Sequence, residues 1–131
     1  MTRTEIIVSW ILQITVAVIL FQTLFFKFSG AEESVYIFST LGVEPWGRIA
    51  SGMIELVVVC FIVFPPTAAV GALLALGVIS GALASHAILG IEVKGDGGLL
   101  FALAVVVFVS SATVVYLRRM ELPLVGARFV A

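Results

Sequence analysis

The residues of this sequence that could carry chemistry are few, and they are ionisable side chains in or beside apolar runs. They are Lys27, Arg48, Glu55, His86 and Asp96. Arg48, Ser51 and Glu55 are spaced by three and four residues, so a helix would place them on one face. Such groups could form ion pairs or exchange protons, because burial disfavours the charged form of a carboxylic acid.

The same inventory excludes several kinds of catalytic site. Cys60 is the single cysteine, which rules out an internal disulfide, a C-x-x-C redox pair and a cysteine metal cluster. One histidine cannot supply a bis-histidine haem, and Glu55, His86 and Asp96 make a thin set of ligands for a zinc or two-metal site. The G-D-G-G segment at 95–98 follows a loop rather than a strand, unlike a dinucleotide-binding motif. We therefore expect no metal site and no independent catalytic activity, and no motif names a substrate.

The composition is that of a membrane protein. Hydrophobic residues make up 62% of the 131 residues and charged residues 11%, whereas about a quarter of a soluble domain is charged. Four runs, at 6–28, 48–64, 67–89 and 98–117, approach the about 20 residues that a transmembrane helix needs. We predict an all-α fold, an antiparallel four-helix transmembrane bundle that forms one domain over 1–131. The lipid bilayer is the expected partner, and the net charge of −1 without a basic run argues against nucleic acid.

Two connections shape this bundle. Pro65 and Pro66 separate the second run from the third, because proline has no N–H to continue a helix. Since the gap between the two runs is so short, we predict that the two helices form a tight hairpin. The connection between the first two runs contains 34–41, which mixes apolar and polar residues. We predict a short interfacial helix there, with Tyr36 and Trp46 at the level of the lipid head groups.

Positive charges indicate the orientation. An even number of spans puts both termini on one side, which holds Arg3, Arg118, Arg119 and Arg128, against Lys27, Arg48 and Lys94 on the other. Because Arg118 and Arg119 directly follow the fourth run, we expect both termini in the cytoplasm. This topology gathers the candidate residues Lys27, Arg48, Glu55, His86 and Asp96 into an outer-half polar cluster. The inner half is expected to hold no ionisable group.

Each member of the outer-half polar cluster also has a structural interpretation. Glu55 could pair with Lys27 or Arg48 to hold helices together, and Lys27 could extend to the head groups. His86 could be a hydrogen-bond partner, and Asp96 is expected to cap the fourth helix.

The third run contains small residues at every fourth position. They are Gly77, Gly81 and Ser85. Such a ladder lets another helix approach closely, so we predict that it packs against a neighbouring helix or a second copy in a homo-oligomer.

Several segments resemble the DoxX-like family of membrane proteins. They are F-F-K-F-S-G at 25–30, G-x-x-E-L at 52–56, the small-residue third helix ending in His86, and G-D-G-G-L-L-F at 95–101. The resemblance runs from the first helix to about Arg119. It implies a four-helix protein of the bacterial inner membrane, with Lys27, Glu55, His86 and Asp96 at the family's polar positions. The family is named for proteins linked to a terminal oxidase. Related proteins serve in the oxidation of thiosulfate, with a quinone as the electron acceptor.

Three functions stay open. The leading interpretation is an accessory subunit of a redox, respiratory or quinone-linked membrane system, with a membrane or redox protein as partner and a quinone as candidate cofactor at the outer-half polar cluster. The second is a channel or carrier for protons or a small solute. The third is a membrane assembly factor that binds partner helices through the small-residue ladder.

Overall fold

The computed structural model describes residues 2–89 and 99–122, and this part of the chain is helical almost throughout. The α-helices are α1 (Arg3–Ser29), α2 (Glu32–Thr40), α3 (Trp46–Val63), α4 (Ala68–Leu89) and α5 (Leu99–Leu117). Single-turn 3-10 helices occupy Pro65–Thr67 and Arg119–Glu121. The four long helices match the predicted runs to within a few residues, and α2 confirms a helix near 34–41.

Length and composition make this chain a membrane protein. Three helical segments are long and apolar enough to cross a bilayer, namely Arg3–Ser29, Trp46–Val63 and Pro65–Ala84. Phe101–Leu117 is a shorter apolar helix. Large apolar side chains such as Val18, Phe25 and Val109 are exposed on the outside of these helices. An apolar surface of this extent indicates a lipid environment.

Each long helix contacts two others. Helix α1 packs against α3 and α5, and α4 packs against the same two helices from the other side. The core between them consists mainly of branched side chains from α1, α3 and α5 and of alanines from α4. Its members include Val16, Leu20, Val58, Ile62, Ala72, Ala75, Val107 and Val114. Because lipid tails are as apolar as these side chains, close packing and polar contacts must hold the helices together.

Helix α1 is capped at both ends by its own sequence. Thr2 and Glu5 form a reciprocal capping box, with both side-chain-to-backbone bonds at 3.1 Å. Gly30 ends the helix in the left-handed conformation at φ 71°, which glycine adopts without strain. The 27 residues of α1 extend about 40 Å at 1.5 Å per residue, more than the about 30 Å of a hydrocarbon core.

The chain turns at Pro65–Thr67, and α4 packs back on α3, as the proline pair predicts. Proline at 65 and 66 leaves the carbonyls of Phe61 and Ile62 without their usual donors four residues later. The Thr67 hydroxyl donates to Phe61 O at 2.8 Å, and Gln13 Nε2 from α1 donates to Ile62 O at 2.7 Å. Side chains therefore supply donors to both of these carbonyls at the end of α3.

The close approach of α4 to α3 depends on Gly71. A Cβ atom at this position would lie 2.6 Å from the backbone nitrogen of Ile62. Among the residues that the structure describes, a Cβ atom at Gly77 or Gly81 would meet no atom within 4 Å. Within this part of the chain, these two glycines therefore do not lie where α4 meets α3 or α5. Contact of the ladder with a second molecule stays a prediction, and the side chain of Ser85 lies outside the described residues.

Candidate functional site

The clearest polar site lies where α1 ends and α3 begins. Glu55 forms an ion pair with Lys27, and their side chains are only 5% and 16% exposed. Thr23 Oγ1 donates to Glu55 Oε2 at 2.9 Å, and Lys27 Nζ also donates to Ser51 Oγ at 3.2 Å. We call Thr23, Lys27, Ser51 and Glu55 the Lys27 cluster. The predicted contact between Glu55 and Lys27 is confirmed.

Helix geometry positions the Lys27 cluster. Its two α1 residues are four apart, as are its two α3 residues, so each helix contributes one face. Gly52 lets the helices approach, since a Cβ atom there would lie 2.7 Å from Phe28 Cε1. The Phe38 ring of α2 lies 5.8 Å from Lys27 Nζ, within the range of a cation–π contact.

Arg48 lies close to this cluster but binds other groups. Its Nε donates to the two Glu44 carboxylate oxygens at 2.8 and 3.1 Å. Its Nη1 donates to the backbone oxygen of Lys27. A cation that satisfies one of the last carbonyls of a helix stabilises that end. Arg48 therefore connects the end of α1 to the start of α3, while Glu55 pairs with Lys27.

Two predicted members of the outer-half polar cluster are not described. Asp96 lies outside the described residues, and so does the side chain of His86. Their places in the cluster, and the helix cap expected at Asp96, stay predictions.

A second polar site, which the sequence interpretation missed, lies where α1 begins and α5 ends. Ser9 and Gln13 are fully buried, and the Arg118 side chain is 7% exposed. Arg118 Nε donates to Ser9 Oγ at 2.8 Å and to Gln13 Oε1 at 3.0 Å, and its Nη1 binds Glu121 at 3.0 Å. We call Ser9, Gln13, Arg118 and Glu121 the Arg118 cluster. The expectation that this half holds no ionisable group was wrong.

The Gln13 amide connects the Arg118 cluster to the proline hairpin. Its oxygen accepts from Ser9 Oγ at 2.6 Å and from Arg118 Nε, while its nitrogen donates to Ile62 O. Arginine is only a donor, so the amide atom that faces Arg118 must be the oxygen. The arrangement joins α1, α3 and the end of α5 in one network.

Two sequence signals could have revealed the Arg118 cluster. Ser9 and Gln13 are four residues apart, on the face of α1 that also carries the buried Val16 and Leu20. The proline pair also requires a donor from elsewhere for an orphaned carbonyl. The position of Arg118 directly after an apolar run indicates orientation, but by itself it does not predict that the side chain is buried.

Both clusters direct their hydrogen bonds inward, at the protein itself. Lys27 and Glu55 bind each other, Ser51 and Thr23, and the Phe38 ring lies beside the ammonium group. A quinone head group needs donors that point outward to its carbonyl oxygens. The described part of the Lys27 cluster does not fit a quinone, and its chemistry is ion pairing between helices.

Comparison with protein-family models, with curated proteins and with solved structures gives no match. The geometry of the two clusters therefore has to carry the functional interpretation.

Proposed function

We propose that this chain is a small multi-pass membrane protein that serves as an accessory subunit of a redox or respiratory membrane system. The observation that carries the proposal is the inward satisfaction of the Lys27 cluster: its charges fasten α1 to α3 instead of presenting donors to a ligand. The resemblance to DoxX-like proteins supports the redox setting. A non-catalytic subunit needs a stable set of helices and an apolar outer surface, and both are consistent with the described contacts.

The architecture proposed for this subunit is an antiparallel four-helix bundle with α2 at the membrane interface. In support, Lys27 near the end of α1 meets Ser51 in the first half of α3, and Gln13 in the first half of α1 meets Ile62 at the end of α3. Ser9 near the start of α1 meets Arg118 after α5. Tyr36 of α2 and Trp46 are both exposed near the same end of the bundle. We further propose the bacterial inner membrane as location, with both termini in the cytoplasm.

Oxygen uptake by isolated membranes tests the accessory role. Membranes from cells that lack the gene should consume oxygen more slowly with a quinol or a dehydrogenase substrate, and the wild-type gene should restore the rate. A variant with both Lys27→Leu and Glu55→Leu should also restore it, because an apolar pair keeps the helices together without charge. Equal uptake with and without the gene would contradict the proposal.

Proton exchange at the Lys27 cluster is the second candidate. Ionisable residues within a transmembrane segment often mark proton or ion pathways, and Glu55 is such a residue at 4% exposure. This candidate requires that Glu55→Gln abolish proton flux in liposomes while the thermal unfolding temperature stays unchanged. It also requires that the Lys27→Leu, Glu55→Leu double variant fold normally and fail to restore oxygen uptake. The two functions thus predict opposite results for oxygen uptake with the same double variant.

A further inference from the structure

Gln22 is a polar residue on the outside of α1. The buried face of this helix carries Gln13, Leu20 and Leu24, and at 100° per residue Gln22 lies almost opposite that face. Its side chain is exposed, among large apolar residues such as Val18 and Phe25. It precedes Lys27 by five residues, or about 7 to 8 Å along the helix axis. Gln22 therefore lies within the hydrocarbon, away from its own bundle.

The Gln22 amide differs from the hydroxyl groups on the same helix. Thr15 Oγ1 donates to Ile11 O at 2.8 Å, and Ser29 Oγ donates to Phe26 O at 3.3 Å. Among the residues that the structure describes, the Gln22 side chain has no hydrogen-bond partner. A primary amide in hydrocarbon without a partner is costly, because two donors and an acceptor stay unsatisfied. The amide thus calls for a polar group outside this copy.

The surroundings of Gln22 have the spacing of a helix–helix seam. Residues on this face follow one another at intervals of four, three, four, three and four. They are Ile11, Thr15, Val18, Gln22, Phe25 and Ser29. Alternating steps of three and four produce the heptad pattern of two packed helices, and a polar residue in such a seam fixes the register. We call these six residues the α1 seam.

We infer that the α1 seam is a homodimer interface in which the Gln22 amides of two copies hydrogen-bond to each other. A glutamine side chain carries donors and an acceptor, so it complements an identical side chain across a twofold axis. Two copies inserted in one membrane share one topology, so their α1 helices run parallel and the two Gln22 residues lie at the same depth. The interface is independent of the proposed function and differs from the small-residue ladder of α4.

Disulfide trapping in native membranes tests where two copies meet. In a Cys60→Ser background, Val18→Cys on the α1 seam should give disulfide-linked homodimers under mild oxidation. Val109→Cys, which is equally exposed but lies on α5, is the matched control and should give few. Trapping at Val109 but not at Val18, or trapping of Val18 only to a different protein, overturns the inference.

The contribution of the amide is tested by its removal. Gln22→Met keeps the length of the side chain and should weaken dimerisation in lipid about 3- to 30-fold, as measured by energy transfer between labelled copies. Gln22→Asn should retain much of the affinity, and Ile14→Met, exposed but off the seam, should not change it. Because Gln22 has no polar partner among the described residues of its own copy, thermal unfolding of the monomer should stay unchanged. Equal affinities of wild type and Gln22→Met refute the amide pairing.

Discussion

At the scale of single residues, the Lys27–Glu55 pair differs from a surface salt bridge in how little water reaches it. Exposed pairs contribute about 0 to 1 kcal/mol, because water competes for both charges. Here the Lys27 and Glu55 side chains are 16% and 5% exposed. Thr23 donates a further hydrogen bond to Glu55, and Ser51 accepts one from Lys27. In such a site, removing one partner should lower the free energy of unfolding more than removing both, because the remaining charge is left buried and unpaired.

Substitution of Lys27 should therefore destabilise the protein strongly. Lys27→Leu leaves the Glu55 carboxylate buried and alone, and should lower the free energy of unfolding by about 3 to 5 kcal/mol. Glu55→Leu should cost less, since Lys27 can extend toward the head groups. The double variant should be close to wild type, because apolar residues of similar volume can replace a buried pair. Equilibrium unfolding in mixed detergent micelles measures all three, and a double variant as unstable as Lys27→Leu would disprove this account.

The sequence predicted some of these residue contacts and not others, for a physical reason. A lone acidic residue in an apolar run needs a partner at the same depth, so Lys27 could be predicted as the partner of Glu55. Arg118 directly follows an apolar run, where an arginine is ordinarily in water, and nothing in its immediate neighbourhood required burial. Its burial depends on two uncharged residues more than a hundred positions earlier, a coupling that local patterns do not encode.

At the scale of elements, the α3–α4 hairpin shows how a proline turn is tolerated within an apolar environment. Ile62 is fully buried, so water does not reach its carbonyl and the donor must come from the protein. Gln13 supplies that donor from α1, and Thr67 supplies the donor to Phe61 O from the turn itself. The hairpin thus depends on a side chain of a different helix.

The donor that Gln13 supplies to Ile62 O should contribute to stability. Gln13→Leu leaves that buried carbonyl without its donor and removes the amide oxygen that accepts from Arg118, so it should lower the free energy of unfolding by about 1 to 3 kcal/mol. Ile14→Leu, an apolar exchange at the exposed next position of α1, is the control and should leave the free energy of unfolding unchanged. Equilibrium unfolding in mixed detergent micelles makes the comparison, and a Gln13→Leu variant as stable as wild type would contradict the assignment.

Glycine substitutions in α4 should separate the contact face from the outer face. Gly71→Ala places a methyl group against the backbone of α3 and should cost about 1 to 3 kcal/mol. Gly77→Ala meets open space and should be neutral or stabilise the helix by up to about 1 kcal/mol. Thermal unfolding of the two variants in one detergent makes the comparison. A destabilised Gly77→Ala would instead indicate that a second molecule covers that face.

At the scale of the whole molecule, the apolar runs predicted the long helices well, since about 20 apolar residues have few alternatives to a helix in lipid. The runs did not predict which helices touch. The α4 ladder was chosen for its small residues alone, whereas the close contact forms at Gly71, where the proline turn holds α4 against α3. Which face of an apolar helix turns inward depends on distant partners.

Orientation in the membrane is a prediction for the whole chain. In a Cys60→Ser background, a cysteine at Ser34 should react with an impermeant thiol reagent on intact cells. A cysteine near Ala131 should react only after the membrane is opened, because the arginines that follow α5 favour the cytoplasm. The reverse labelling pattern would invert the orientation and place the Arg118 cluster on the outer side.

The network around Gln13 also constrains how the chain is made. The ribosome delivers α1 first, and the amide of Gln13 then has Ser9 beside it but lacks its partners in α3 and after α5. Ile62 arrives with the second long helix, and Arg118 arrives only after the last one. A nascent or truncated chain that stops before Arg118 thus carries the Gln13 amide oxygen without its cationic partner.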